Sequence, residues 1–440
     1  MQAVHIAHAN FGAQCVYIQE TTMTTAKADH SHDDHAQTPV PESERRSFFS
    51  IALVMLGYTF FAASMWTGGA LGTGLILFPD LATAIVAGNL ILGIYGGFLG
   101  YAASATNLST HMLARYAFGV LGSKLPSFML AITQIGWFGV GVAMLAYPLN
   151  KLMGLPVMPV IIFSGLLMTL TVVVGFKAIE WLSWIAVPAI IALGVWSMAT
   201  AITDSGGIAA LASVKPQSPI SFAVGVSLGV GSFISGATLT PDFVRFAKDR
   251  TSGVCATIVG FTFGNSLMFF FGAFGAIAIG VADTAEVLAM QGLLGGGIAL
   301  LALNIWTTND NALYAAGLGL ANITGWKRKT VTLIGGAIGT VLADFLYNHF
   351  VDWLNFLSVS LPPIGGIIIA DFFIRRGRSI PPGEQPQALR WSAMIAWAAG
   401  IVISWVSPDE GFFCIAPLNA TIAAGVVSLA MGTIFEKIRR

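Results

Sequence analysis

Apolar runs of about 20 residues recur along this chain from residue 48 to its end, and they constrain the fold more than any other feature. A helix rising 1.5 Å per residue needs about 20 of them to cross about 30 Å of hydrocarbon, and only a helix or a closed barrel satisfies its own amides there. Twelve such segments are predicted, at about 48–67, 81–105, 125–149, 158–176, 178–203, 219–244, 252–281, 292–321, 330–348, 351–374, 389–406 and 411–435. Charged residues make up 10% of the chain against 55% hydrophobic ones, too little charged surface for a water-soluble chain of 440 residues. The expected class is therefore an all-α polytopic membrane protein, whose partner is the lipid bilayer. A monomer is the expected state, although nothing in the composition derives it. The formal net charge is zero, so no nucleic acid polymer is expected as a partner. Cys15, Cys255 and Cys414 are scattered and match no metal or disulfide pattern.

Orientation follows from the loops. Arg45, Arg46, Arg115, Lys124, Lys177, Arg245, Lys248, Lys327, Arg328, Arg375 and Arg390 fall in the termini and the even-numbered loops, whereas the odd loops hold Lys151, Lys215 and most of the loop acids. Positive charge stays inside, which puts both termini in the cytoplasm of an inner-membrane protein. Residues 109–124 are too short and mixed to span, and read as a lateral helix on that side. Residues 1–46 are polar and irregular, with His30, His32 and His35 around Asp33 and Asp34, and are expected to be a disordered cytoplasmic tail rather than a metal site.

Polar residues inside the spans point to function. Asn304-Ile305-Trp306-Thr307-Thr308-Asn309-Asp310-Asn311 lies between runs of Ala, Leu and Gly. On a helix, positions 304, 307, 308 and 311 share one face. Unsatisfied polar groups in hydrocarbon cost several kcal/mol each, so this stripe must face protein, a cavity or a ligand. Interhelical hydrogen bonding would account for a lone Thr or Asn; four on one stripe favour a ligand or ion site. Asp310 lies off that face and is expected to pair with another helix or to relay a proton.

The first and sixth spans both run into Gly, Ser and Thr, at 62–74 and at 229–241, and the second run ends on Pro241. Two interrupted helices about 170 residues apart suggest two inverted five-helix halves with a substrate and a cation at the breaks. Close packing of small residues would give the same composition. Trp137, beside Gln134 and between Gly136 and Gly139, sits mid-span, where tryptophan is out of place, and its face suits a flat ligand. Phe233 in the sixth span is placed to supply a second face. No Ser-His-Asp, HExxH or Walker arrangement is present, so neither catalysis nor a cofactor is expected.

The segments Met55-Leu56-Gly57-Tyr58-Thr59-Phe60-Phe61, Gln134-Ile135-Gly136-Trp137-Phe138-Gly139, Gly231-Ser232-Phe233-Ile234-Ser235 and 304–311 carry a further reading. Through them, and over about 47–435, the chain resembles the nucleobase:cation symporter family 1, of the purine-cytosine permease type. The resemblance implies a five-plus-five inverted-repeat core over 47–376, two further helices and a short tail over 377–440, and alternating access. It implies cytosine as substrate, stacked between Trp137 and Phe233 and hydrogen-bonded by Ser232, Ser235, the backbone near Gly236 and Ala237, and amides such as Asn304, with Gln134 at hand. It places a cation between carbonyls near Gly57 and Phe60, the Asn304 carbonyl, and the Thr307 and Thr308 hydroxyls. Gly236 stands where the family has Ala, which matters little if its amide is the contact. A neutral ring suits aromatic faces and small hydroxyls, and an all-oxygen site suits a hard cation such as sodium over a proton. Proton coupling through Asp310, another nucleobase or a hydantoin-like ring as substrate, and a channel are the alternatives.

Overall fold

A computed structural model describes residues 34–439, apart from 217, 283, 293, 350–356, 358–359, 382 and 408–414. It is all-helical, with no named strand among the described residues. In chain order the helices are α1 (Phe48–Thr59), α2 (Ala62–Gly74), α3 (Ala82–Thr106), α4 (Thr110–Phe118), α5 (Lys124–Met153), α6 (Val157–Val174) and α7 (Phe176–Asp204). After the short α8 (Ile208–Ala212) come α9 (Phe222–Thr238), α10 (Thr240–Val244), α11 (Arg250–Ile258) and α12 (Ser266–Ile279). The chain continues with α13 (Thr284–Met290), α14 (Leu294–Thr324), α15 (Arg328–Asn348), α16 (Pro362–Ile369), α17 (Trp391–Val406) and α18 (Ala416–Arg439). Among the described residues, seven helical stretches are individually long and apolar enough to cross a membrane, and α1 with α2 makes an eighth, bent by 57°. Helix α14 is longer than any of them, at 31 residues, but the polar residues 304–311 lie at its middle. Helix α4 starts as an N-cap dictates: the Met112 amide donates to the Ser109 hydroxyl at 3.3 Å.

Both interrupted spans differ from expectation in where they break. In the first, the helix stops before the glycine-rich run, at Phe60 (φ −76°, ψ 86°) and Phe61 (φ −127°, ψ 135°), and 62–74 is itself helical. One hydroxyl back-bonds within the last turn of α1, and another takes up a carbonyl that the break releases. Thr59 Oγ1 donates to Met55 O at 3.0 Å, and Thr308 Oγ1 donates to Phe60 O at 2.8 Å. In the sixth, α9 runs unbroken through Gly229–Thr238 and the joint falls at Leu239, just before Pro241. The glycines serve packing there: a Cβ on Gly88 of α3 would stand 3.2 Å from Gly229 Cα, so these two helices touch backbone to backbone.

Part of the expected solvated tail is folded. Residues 34–46 pack under the basic end of the bundle, with Ala36 and Val40 each 2% exposed. The buried Arg245 guanidinium donates to the carbonyls of His35 at 2.7 Å and Asp34 at 2.8 Å. Val40 N donates to Asn107 O at 3.0 Å, and Arg46 forms an isolated bridge with Ala247. A buried cation and two buried apolar side chains need partners, and this segment supplies them. His30 and His32 lie outside the described residues.

Candidate substrate and cation site

Four elements meet at the centre of the bundle: the α1–α2 break, the middle of α5, the last turns of α9, and the polar stretch of α14. They enclose a pocket with four aromatic residues, Tyr58, Phe61, Trp137 and Phe233. Its polar lining is Gln134, Ser232, Ser235, Thr308 and Asn309, and no charged side chain is among the lining residues. Gln134 is 2% exposed and its Nε2 has no hydrogen-bond partner among the described residues. An unpartnered buried amide costs about 1–3 kcal/mol, so it is a donor held ready for an acceptor that enters the pocket. Ser232 Oγ donates to Gly229 O at 2.9 Å, leaving its lone pairs to accept.

Trp137 and Phe233 line the same pocket, but Phe61 stands against both. Its ring is 5.3 Å from that of Trp137 and 6.4 Å from that of Phe233, edge-on to each. Tyr58 meets Phe233 edge-on at 5.2 Å. The cavity left among these rings is about 20 Å³, room for a water molecule and not for a heterocycle. A flat guest needs Phe61 to move. Gly236 also belongs to the lining: a Cβ there would stand 2.8 Å from Tyr58 Oη and closer still to the Phe233 ring.

Beside the pocket lie the oxygens expected to bind a cation. Thr308 Oγ1 touches Phe60 O at 2.8 Å and Tyr58 O at 3.4 Å. Thr307 Oγ1 lies 3.0 Å from Asn304 O. The last carbonyls of α1, Gly57 among them, belong to a turn that no further helix continues. Asn304 is fully buried; its Nδ2 lies 3.4 Å from Met268 Sδ, and its Oδ1 has no partner among the described residues. The Thr307 and Thr308 hydroxyls with the Asn304 and broken-helix carbonyls are oxygen donors of the kind that a hard cation takes.

Most of the predicted residues converge: Gln134, Trp137, Ser232, Phe233, Ser235, Gly236 and Thr308 line the pocket, Thr308 holds Phe60 O, and Thr307 bonds carbonyls of its own helix. Ala237 and the Asn304 side chain do not line it; the amide on its wall is Asn309. Tyr58, Phe61 and Asn309 were not singled out from sequence. Asn309 lies in the polar stretch, but its Nδ2 is already bonded to Phe138 O at 3.1 Å. Asp310 faces away from the pocket, toward α6, where Thr171 Oγ1 lies 2.9 and 2.7 Å from its two carboxylate oxygens.

The family described as permeases for cytosine/purines, uracil, thiamine and allantoin matches residues 39–426. The cytosine permease of Escherichia coli strain K12 is 50% identical over 406 residues, covering 92% of this chain and 96% of that protein. The hydantoin permease of Microbacterium maritypicum is 23% identical, over 76% of each chain. A closed, bromovinylhydantoin-bound structure of Mhp1, a nucleobase-cation-symport-1 family transporter, shares the fold with a TM-score of 0.79 at 21% identity, covering 90% of this chain and 95% of that one.

Proposed function

Because the chain belongs to the family of permeases for cytosine and purines, transporters and not enzymes, we propose that it imports cytosine, coupled to sodium, by alternating access. In this reading it is a monomer in a bacterial inner membrane. Twelve spans form a five-plus-five inverted repeat plus two helices, with both termini cytoplasmic. The observation that carries the reading is a charge-free aromatic pocket, holding an unpartnered Gln134 amide, directly beside the Thr308–Phe60 oxygens. Trp137 and Phe233 clasp the ring once Phe61 swings aside. Gln134 Nε2 donates to a ring acceptor, and Ser232 and Ser235 serve its amino edge. Sodium sits between the α1–α2 break and α14, held by Phe60 O, Asn304 O, and the Thr307 and Thr308 hydroxyls, with Gly57 O beside them. Because the same break carries Phe61, a cation that fixes it also fixes one wall of the base pocket.

At the cytoplasmic end a polar clamp keeps the pocket shut. Arg245 holds the carbonyls of Asp34 and His35 and donates to Tyr314 Oη at 3.0 Å, while Arg328 lies 3.4 Å from the Asp34 carboxylate. Asp242 accepts from the Thr110 amide at 2.8 Å, tying the end of α10 to α4.

Proton coupling is the second reading, and Asp310 favours it: a fully buried carboxyl whose only described bonding partner is Thr171. Radiolabelled cytosine uptake into proteoliposomes separates the two. The expected result is accumulation above equilibrium driven by an inward sodium gradient; accumulation driven only by a pH gradient assigns coupling to the proton. Competition by uracil, hypoxanthine and a hydantoin in the same assay tests the choice of cytosine.

A further inference from the structure

Helices α3, α16 and α18 leave between them an open apolar groove of about 460 Å³ that shares no lining residue with the transport pocket. Phe98, Ile374, Ile422 and Val426 line it and are 48%, 67%, 56% and 61% exposed. Its two hydroxyls are already engaged: Tyr95 Oη with Thr238 Oγ1 at 2.8 Å, and Thr421 Oγ1 with Pro417 O at 2.8 Å. The groove therefore asks for hydrocarbon and offers no hydrogen bond.

Its rim beside the ends of α3 and α16 has the opposite character. Phe98, Tyr101 and Phe373 form a ring cluster there, with Phe373 5.4 Å from Phe98 and 5.3 Å from Tyr101. Two guanidiniums lie over it: Arg250 Cζ is 5.4 Å from the Tyr101 ring centre and Arg378 Cζ is 5.8 Å from that of Phe373. Both arginines are exposed, and among the described residues neither stands in an ion pair. Arg250 Nη1 also donates to Tyr101 Oη at 3.1 Å, which fixes it at the rim. An exposed hydrocarbon slot that ends at two aromatic-backed cations without a carboxylate partner is complementary to one kind of molecule.

We propose that this groove binds an anionic phospholipid of the cytoplasmic leaflet, one acyl chain along α3, α16 and α18 and the phosphate on Arg250 and Arg378. Guanidinium forks match phosphate oxygens, and juxtamembrane cations attract anionic headgroups. A zwitterionic lipid fills the slot but brings its own cation to two others. The leaflet assignment rests on the orientation proposed above; the site itself does not. Because Tyr95, in the wall of the groove, is bonded to Thr238 at the end of α9, the occupant braces the helix that carries Ser232, Phe233 and Ser235.

The test uses the full-length protein in detergent, with phosphatidylglycerol and phosphatidylcholine as probes, native mass spectrometry for retained lipid and thermal unfolding for stabilisation, without cytosine or sodium. Phosphatidylglycerol is expected to be retained selectively and to raise the thermal midpoint. The exposed double variant Arg250→Gln/Arg378→Gln should weaken its retention about thirtyfold. Ile422→Trp, which fills the slot, should remove retention while leaving the lipid-free midpoint in place. Equal retention of the two lipids, or retention untouched by these variants, would mean annular lipid only and overturns the site; a dimer that buries the groove also overturns it. Cytosine uptake in phosphatidylcholine vesicles decides the transport reading separately.

Discussion

At the scale of the residue, each part of the site makes a separable contribution. Stacking on an aromatic face is worth about 1–3 kcal/mol per base, so Trp137→Ala should weaken cytosine binding by about ten- to a hundredfold with membrane insertion intact. Isothermal titration checks this, and unchanged affinity would remove Trp137 from the site. Thr308→Ala deletes the hydroxyl at Phe60 O and should raise the sodium concentration for half-maximal uptake by about tenfold, leaving the cytosine-to-uracil ratio unchanged. Thr308→Ser should restore it. Sodium titrations of uptake decide the matter; a changed base preference with normal sodium response would move the ion elsewhere. His111, on the lateral helix α4, has a different consequence. Burial, with smaller contributions from Arg245 and Arg115, lowers its pKa to about 3 against a backbone bond to Ala315 that raises it. The unfolded chain therefore binds a proton that the folded one refuses between about pH 6.5 and 3, and stability falls as pH falls through that window, by at most about 1.4 kcal/mol per pH unit. Thermal midpoints from pH 7 to 4 should show a shallower acid-side slope for His111→Gln than for the parent, whatever the absolute shift; equal slopes would mean that the ring is not neutral in the fold.

At the scale of the element, what could be read from sequence depends on where the physical cause lies. The polar stretch of α14 was conspicuous because six polar side chains in an apolar helix have no local excuse. The break in the first span precedes the Gly-rich run in which composition predicts it. The carbonyl freed at Phe60 is satisfied by the hydroxyl of Thr308, 248 residues away, which no local composition reveals. Tyr58 and Phe61 are hidden for a related reason: an aromatic in an apolar run looks like core until the chain on either side of it bends. The folding of residues 34–46 was equally invisible, since a polar segment is solvated unless a buried cation such as Arg245 waits for its carbonyls. That clamp carries a prediction. Charge-assisted hydrogen bonds are worth about 1.5–3 kcal/mol each, so Arg245→Met should release the segment and open the cytoplasmic end more often. In a background without Cys15, Cys255 and Cys414, a cysteine at the pocket residue Ala312 should be labelled from that side at least about tenfold faster. An unchanged labelling rate would make the clamp a fixture and not a gate.

At the scale of the whole molecule, the size of the central pocket sets the logic of coupling. A cavity of about 20 Å³ cannot hold a pyrimidine, so the conformation described here is one from which the base must be excluded or released. Cytosine then binds only the fraction of molecules in which Phe61 has left the gap between Trp137 and Phe233, and its apparent affinity is reduced by that fraction. Phe61 follows Phe60 directly in the extended break, and the Phe60 carbonyl is held by Thr308. A sodium ion drawn to Phe60 O, Asn304 O and the two threonine hydroxyls therefore sets the backbone from which the Phe61 ring hangs. If it favours the open gap, sodium raises the competent fraction, and by linkage cytosine raises the affinity for sodium by the same factor. Cytosine titrations in sodium and in choline, and sodium titrations with and without cytosine, should give matching factors of about ten or more. Phe61→Ala, which empties the gap without touching the ion's oxygens, should bind cytosine almost equally in both salts. Equal affinities in sodium and choline for the parent protein would leave the base and the ion as independent guests and end the case for coupling through this break.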